Sequence, residues 1–203
     1  MTPPQLLESI GMFAYGGGGF HCVWMSDEDI ELFARKQLWA VTNPGSNAKL
    51  ASGIAPLDRL AAAGIPMAIG TDGAASNNAL DMFREMYLAS VLQKLANKDA
   101  AAGSADRVLA MACAGGAGAM GLSDADDIAP GKLSDLVVID LHRPNMQPLN
   151  NIARNIVYSG SKENVRLTMV NGRILYENGE FFIGEAPEEI YEKANRLMEK
   201  VRA

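Results

Sequence analysis

Residues 64–78 read Gly-Ile-Pro-Met-Ala-Ile-Gly-Thr-Asp-Gly-Ala-Ala-Ser-Asn-Asn and place one carboxylate where chemistry could be done. The apolar run 67–69 has the composition of a short buried strand, and Asp72 follows it among residues with almost no bulk. An aspartate at the carboxyl end of a buried strand, with neighbours too small to block approach, can ligate a metal ion or move a proton. The same pattern also fits an aspartate that only caps the helix after it. His21 is the second such group, in the run Phe-His-Cys-Val-Trp of strand character (20–24) that follows four glycines. A single strand histidine can be a hydrogen-bonded core residue. It becomes a site residue if its strand opens on the same mouth as Asp72, as strands two βα units apart do in a barrel. The other histidine, His142, stands beside Arg143 and Pro144 and is expected in a surface loop.

The elements that must hold these groups can be read in order. Residues 3–12 suit a helix entered through two prolines. Ser26 opens the next, with Asp29 three residues on as in a capping box and Ile30, Phe33 and Ala34 on one face. A buried strand is expected at 38–41, loop chemistry at 42–47, a short helix at 57–63, and the strand before Asp72. Strands alternating with helices, with the polar loops after the strands, argue for parallel βα units. Leu80, Phe83, Tyr87, Leu88, Val91, Leu92 and Leu95 are expected to line the core face of a long helix, and another helix is expected from 104 to about 114.

After Gly121 the texture changes. Strands are expected at 136–139 and 154–158, and 165–170 and 173–177 flank Asn171-Gly172, a strong hairpin signal. Pro187 opens a final helix with Ile190, Ala194, Leu197 and Val201 inward. These patterns divide the chain into an α/β part, 1–121, and a mainly antiparallel β part with a terminal helix, 122–203.

The bulk numbers exclude several classes. The 203 residues are 48% hydrophobic and 21% charged, an ordinary globular composition, and the net charge of −6 comes with no basic cluster for nucleic acid. No apolar run is long enough for a membrane span, and the N-terminus does not read as a secretion signal. Two widely spaced cysteines, Cys22 and Cys113, suit reduced thiols and a cytoplasmic location. Gly116, Gly118 and Gly121 formally match a dinucleotide-binding fingerprint, with Asp140 as the ribose acid. Its context fails, because 107–114 has helical composition where a strand is required; a strand there would revive a nucleotide-binding reading.

Three ordered motifs, His-Cys-Val-Trp-Met-Ser at 21–26, Thr-Asn-Pro-Gly-Ser-Asn-Ala-Lys-Leu-Ala-Ser-Gly-Ile-Ala-Pro at 42–56 and Gly-Thr-Asp-Gly-Ala-Ala-Ser-Asn-Asn at 70–78, resemble the amidohydrolase superfamily. Within it they resemble the methylthioadenosine/S-adenosylhomocysteine deaminases and related chlorohydrolases. Pro-Gly-Lys-Leu-Ser-Asp-Leu-Val-Val-Ile-Asp (130–140) and Met-Val-Asn-Gly-Arg (169–173) look like that family's small β-sandwich domain. The resemblance implies a (β/α)8 TIM-type barrel, of which this chain carries strands six to eight. It implies that His21 positions the attacking water, and that Asp72 ligates a divalent metal, zinc ahead of iron, and takes the water's proton. It places Asn43, Ser46, Asn47 and Ser76 on loops that contact substrate, and sets Thr42 where the family often has histidine. The implied reaction replaces an exocyclic amine on a purine-type ring, as in S-adenosylhomocysteine or methylthioadenosine, by water. A chlorohydrolase or guanine deaminase would use the same residues.

The chain departs from that pattern in two ways. It has no His-x-His pair and no second strand histidine, and its βα portion is roughly half of the ~250 residues a barrel takes. It is therefore expected to be a C-terminal portion, inactive alone, with an open side that forms a homo-oligomer or meets a missing N-terminal segment. A non-catalytic remnant or assembly module is the rival reading.

Overall fold

The structure, a computed structural model, describes residues 1–202. Thr2 and Gln5 close a reciprocal capping box at the start of α1 (Pro3–Ser9), and Ser26 and Asp29 close another at α2 (Asp27–Lys36). Between them lies β1 (Gly18–Phe20), and β2 (Trp39–Thr42), α3 (Pro44–Lys49), α4 (Leu57–Ala62) and β3 (Met67–Ile69) follow. Next come α5 (Ala74–Asn77), α6 (Met82–Asn97), α7 (Ala105–Ala112) and α8 (Ala114–Ala119). The three strands form a parallel sheet in the order β1-β2-β3, with Phe20 opposite Val41 and Thr42 opposite Ile69. Parallel strands joined through helices bring their carboxyl ends to one edge, so the loops after all three converge there. Gly18 lets β1 lie tight on β2, since a Cβ at that position would collide with the Trp39 carbonyl.

The remaining elements are β4 (Leu136–Ile139), α9 (Ile152–Ser159), β5 (Val165–Val170), β6 (Arg173–Glu177), β7 (Glu180–Phe181) and α10 (Pro187–Arg202). The four strands form an antiparallel sheet in sequence order. Asn171 and Gly172 both take positive φ (47° and 75°), as a tight two-residue hairpin demands. No helix among the described residues is long and apolar enough to cross a membrane.

The core joins Phe33 of α2, Leu38, Leu60 of α4, Met86 of α6, Val108 of α7 and Val157 of α9 in one cluster. Ala40, Thr42 and Ile69 are buried on one face of the parallel sheet. On the other face Phe20 is 71% exposed, and Trp39 and Val41 are only half-buried.

Several expectations need correcting. The first strand ends at Phe20 instead of running to 24, because His21 and Cys22 turn into the left-handed region (φ 66° and 49°). Residues 154–158 are helical: Asn151 caps α9 by accepting the Arg154 amide at 2.9 Å, and the helix docks on α6 and α7. Packing there overrides the strand propensity of Ile156 and Val157. Val157 of this helix is buried in the same cluster as Phe33, Leu60 and Val108, with Ile156 and Tyr158 packed against it. On α6 the buried residues are Glu85, Met86, Ala89, Ser90 and Gln93. Of the expected stripe Phe83, Leu88, Val91 and Leu92 are half-buried, Tyr87 and Leu95 are exposed, and Leu80 lies exposed before the helix begins. The terminal helix buries none of its described residues, so Ile190, Leu197 and Val201 face outward. The helix over 105–112, where nucleotide binding needs a strand, removes that rival reading.

Candidate active site

Two left-handed turns set the candidate pair. Backbone pairing carries one step past β1, since the His21 amide donates to the Val41 carbonyl at 2.7 Å, and then the chain turns. After β3 the chain turns likewise at Asp72 (φ 61°). A positive φ is costly for residues other than glycine and collects where geometry serves function. The two turns bring His21 Nε2 to 3.9 Å from Asp72 Oδ2.

α3, at the exit of β2, lies between them and supplies a partner to each. Ser46 Oγ donates to Asp72 Oδ2 at 2.6 Å, and His21 Nδ1 lies 2.7 Å from Asn47 Oδ1. With the Asn47 amide oxygen accepting, Nδ1 is the donor in this contact and Nε2 is the ring nitrogen that faces Asp72. The Gly73 amide donates to Asp72 Oδ1 at 2.7 Å. These donors lower the Asp72 carboxyl from the ordinary 3.8 to about 2, with Ser46 first, then Ser76 and the Gly73 amide. The Ser76 hydroxyl is itself placed on the Gly73 carbonyl at 3.1 Å, so of the two serines Ser46 is the one that holds the carboxylate. Asn43 is buried at the start of α3, its Oδ1 so close to Gly70 that a side chain there would strike it, and it reaches neither His21 nor Asp72.

Two residues absent from the sequence-based expectation support this arrangement. Glu85 is completely buried and accepts the Gly45 amide at 2.7 Å and Asn77 Nδ2 at 2.8 Å. Asn77 Nδ2 also donates to the carbonyl of Thr71, the residue before Asp72, at 2.6 Å, and its Oδ1 is buried without a partner. At the other end of α3, Lys49 bonds Asn78 Oδ1 and the Ala75 carbonyl. Asn77 and Asn78 lie within the third motif, but only the fold shows that Glu85 of the following helix points inward.

The pair opens on a cavity of about 470 Å³ whose walls include Leu7, Phe13, Phe20, Val23, Trp24 and Leu50, with Ser46 beside the pair. Such mostly apolar walls with a few convergent polar groups suit an organic ring. Cys22 also lines it, but burial pushes its thiol up to about 11, which leaves it protonated and unreactive at neutral pH.

A catalytic zinc site takes three protein ligands and an open position. His21 and Asp72 offer two donors, and no group of three His, Cys, Asp or Glu side chains among the described residues could hold a metal ion. The residues of this chain therefore do not by themselves fit a zinc centre.

The parallel sheet and its helices make this an α/β protein, with a histidine and an ionised aspartate at the carboxyl edge of its strands. The chain belongs to the amidohydrolase family, whose model matches residues 1–175. It is 44% identical over 185 residues to the 5'-deoxyadenosine deaminase of Methanothermobacter thermautotrophicus, covering 91% of this chain and 43% of that protein. It is 42% identical over 181 residues to the 5-methylthioadenosine/S-adenosylhomocysteine deaminase of Thermococcus onnurineus, covering 89% and 42%. Among solved structures, a zinc-bound adenosine deaminase from Xanthomonas campestris matches with a TM-score of 0.86 and 35% identity, over 90% of this chain and 42% of that one. The zinc complex of atrazine chlorohydrolase TrzN from Arthrobacter aurescens matches with a TM-score of 0.89 and 26% identity, over 97% and 44%. The chain thus spans less than half the length of each of these proteins.

Proposed function

We propose that this chain is the C-terminal portion of a zinc-dependent aminohydrolase that replaces the ring amine of a 5'-modified adenosine by water. In this reading β1 to β3 are strands six to eight of a (β/α)8 barrel. Residues 122–203 form the accessory β-sandwich part, apart from α9. The observation that carries the reading is the 3.9 Å approach of His21 Nε2 to Asp72 Oδ2, each held by its own partner on α3. The deaminase relatives supply the substrate class.

Asp72 is assigned as metal ligand and proton carrier. A carboxyl lowered to about 2 is fully ionised at neutral pH, which suits a ligand and makes it a weak base toward ordinary water. Beside a metal completed by ligands from outside the chain, this carboxylate would help to hold the ion, and the metal would supply a water acidic enough to give up a proton. His21 orients the water through Nε2, because its Nδ1 proton is committed to Asn47. Ser46 and Asn47 act through these two groups, and Asn43 and Ser76 shape the loops on which substrate rests. The further metal ligands have to come from outside the described residues, so the chain alone is proposed to be inactive.

The test pairs the chain with the N-terminal portion of the Methanothermobacter relative by co-expression. Zinc content after dialysis and ammonia release from S-adenosylhomocysteine, methylthioadenosine and 5'-deoxyadenosine are then measured. The chain alone should retain less than one zinc and release no ammonia, and the pair should do both. Asp72→Asn in the pair should lower turnover by more than about 100-fold. Stoichiometric zinc and turnover in the chain alone would overturn the incomplete site. A correctly assembled, zinc-loaded pair with no turnover would overturn the deaminase reading in favour of a non-catalytic module.

A further inference from the structure

We propose that Glu85 is the positioning residue of this site: a buried carboxylate that sets α3 so that Ser46 meets Asp72 and Asn47 meets His21 at the same time. The inference rests on the reading that His21 and Asp72 form the working pair. α3 has six residues, too few to be stable or fixed in orientation by itself, so its placement comes from what grips it. At its first turn that grip is Glu85 Oε2 on the Gly45 amide at 2.7 Å. The other oxygen, Oε1, reaches Asn77 Nδ2 at 2.8 Å, and the same Nδ2 holds the Thr71 carbonyl at 2.6 Å. One carboxylate therefore ties the loop that carries Ser46 and Asn47 to the loop that carries Asp72.

The geometry demands such a tie. Neighbouring residues on a helix point about 100° apart around its axis. Turning α3 to improve the Ser46 contact therefore draws Asn47 away from His21, and only one setting satisfies both. Gly45 fits the same account: a Cβ there would collide with Glu85 Oε1, so the amide can come within hydrogen-bonding reach only without a side chain. A carboxylate with no exposure is costly to bury unless its oxygens are met, and both oxygens of Glu85 are met by groups of these two loops.

The experiment reads His21 in the purified 203-residue chain by 15N NMR of the imidazole at one fixed pH, in the wild type and in Glu85→Ala, Glu85→Gln and Gln93→Ala. Gln93 is the control: it is equally buried on α6, but it ties the Ala55 carbonyl and the Leu57 amide. The wild type should show the Nδ1–H tautomer with a slowly exchanging ring proton. Glu85→Ala should speed that exchange at least tenfold and move the ring toward the tautomer mixture of free imidazole. Glu85→Gln, which keeps one acceptor, should fall between them. Gln93→Ala should lower the melting temperature and leave the His21 signals in place. If Glu85→Ala does not fold, Gly45→Ala carries the test from the other side of the same contact, with the same expected loss. Unchanged His21 signals in the folded Glu85 or Gly45 variants, or an equal change in Gln93→Ala, would overturn the proposal. Failure of the paired protein to deaminate would count against the proposed function and leave this result standing.

Discussion

Ser46 sits on α3 and Asp72 on the turn after β3, yet the serine hydroxyl donates to the carboxylate across 2.6 Å and is the first cause of its lowered pKa. Because the folded value, about 2, lies below the unfolded value near 3.9, this contact stabilises the fold above pH ~4. The contribution is lost as pH falls from about 4 to about 2. Ser46→Ala should return the Asp72 value toward 3.8 and remove that acid-side contribution. A 13C titration of the Asp72 carboxyl checks this, and an unmoved value would show that Ser76 and Gly73 suffice.

Gly116 and Gly118 of α8 should answer oppositely to the same substitution. A Cβ on Gly118 would strike the Trp39 ring, whereas one on Gly116 meets nothing within 4 Å. Gly118→Ala should cost about 1–3 kcal/mol by overpacking. Gly116→Ala should stabilise by up to about 1 kcal/mol through helix propensity. Urea unfolding of the two variants decides, and equal effects would contradict this packing.

Tyr158 of α9 meets Ser90 of α6 at 2.9 Å, and Ser90 in turn donates to the Gly103 carbonyl at 2.5 Å. With its own proton committed, Ser90 accepts from the tyrosine. Tyr158→Phe should cost about 0.5–1.5 kcal/mol in urea unfolding. A neutral result would mean that α9 is held by Val157 and its apolar neighbours alone.

The parallel sheet leaves β1 and β3 as unpaired edges beside exposed Phe20 and Trp24, and α10 leaves Ile190, Leu197 and Val201 uncovered. Unpaired edges and apolar patches favour association. At micromolar concentration, sedimentation should give a mass above 21.6 kDa. A single 21.6 kDa species with cooperative melting would show that these surfaces are tolerated in water.

Short apolar runs bounded by strong turn signals were legible without coordinates. The strand at Met67–Ile69, the Asn171-Gly172 hairpin and the Ser26 capping box all stand where local chemistry puts them. His21 and Asp72 were legible as a pair because both were assigned to strands of one βα series, although His21 follows its strand instead of lying within it. Glu85 was not. The side of α6 that turns inward is chosen by the polar groups brought against it, the Gly45 amide at Glu85 and the loop at 55–57 at Gln93. Those neighbours lie about forty residues away in sequence, beyond any helical period. α9 was misread for a related reason: its apolar run is short enough to suit either element, and the partners that select helix are α6 and α7.

The excursion of the chain between α8 and α9 bears on how the protein is made. A ribosome releases residues in order, and the first part of the chain emerges without Val157 and Tyr158, which complete its core. Until the nascent chain has grown past Ser159, α6 and α7 present a vacant apolar seat. Premature termination anywhere in the intervening stretch would strand the product in that sticky state, a substrate for chaperones and proteases.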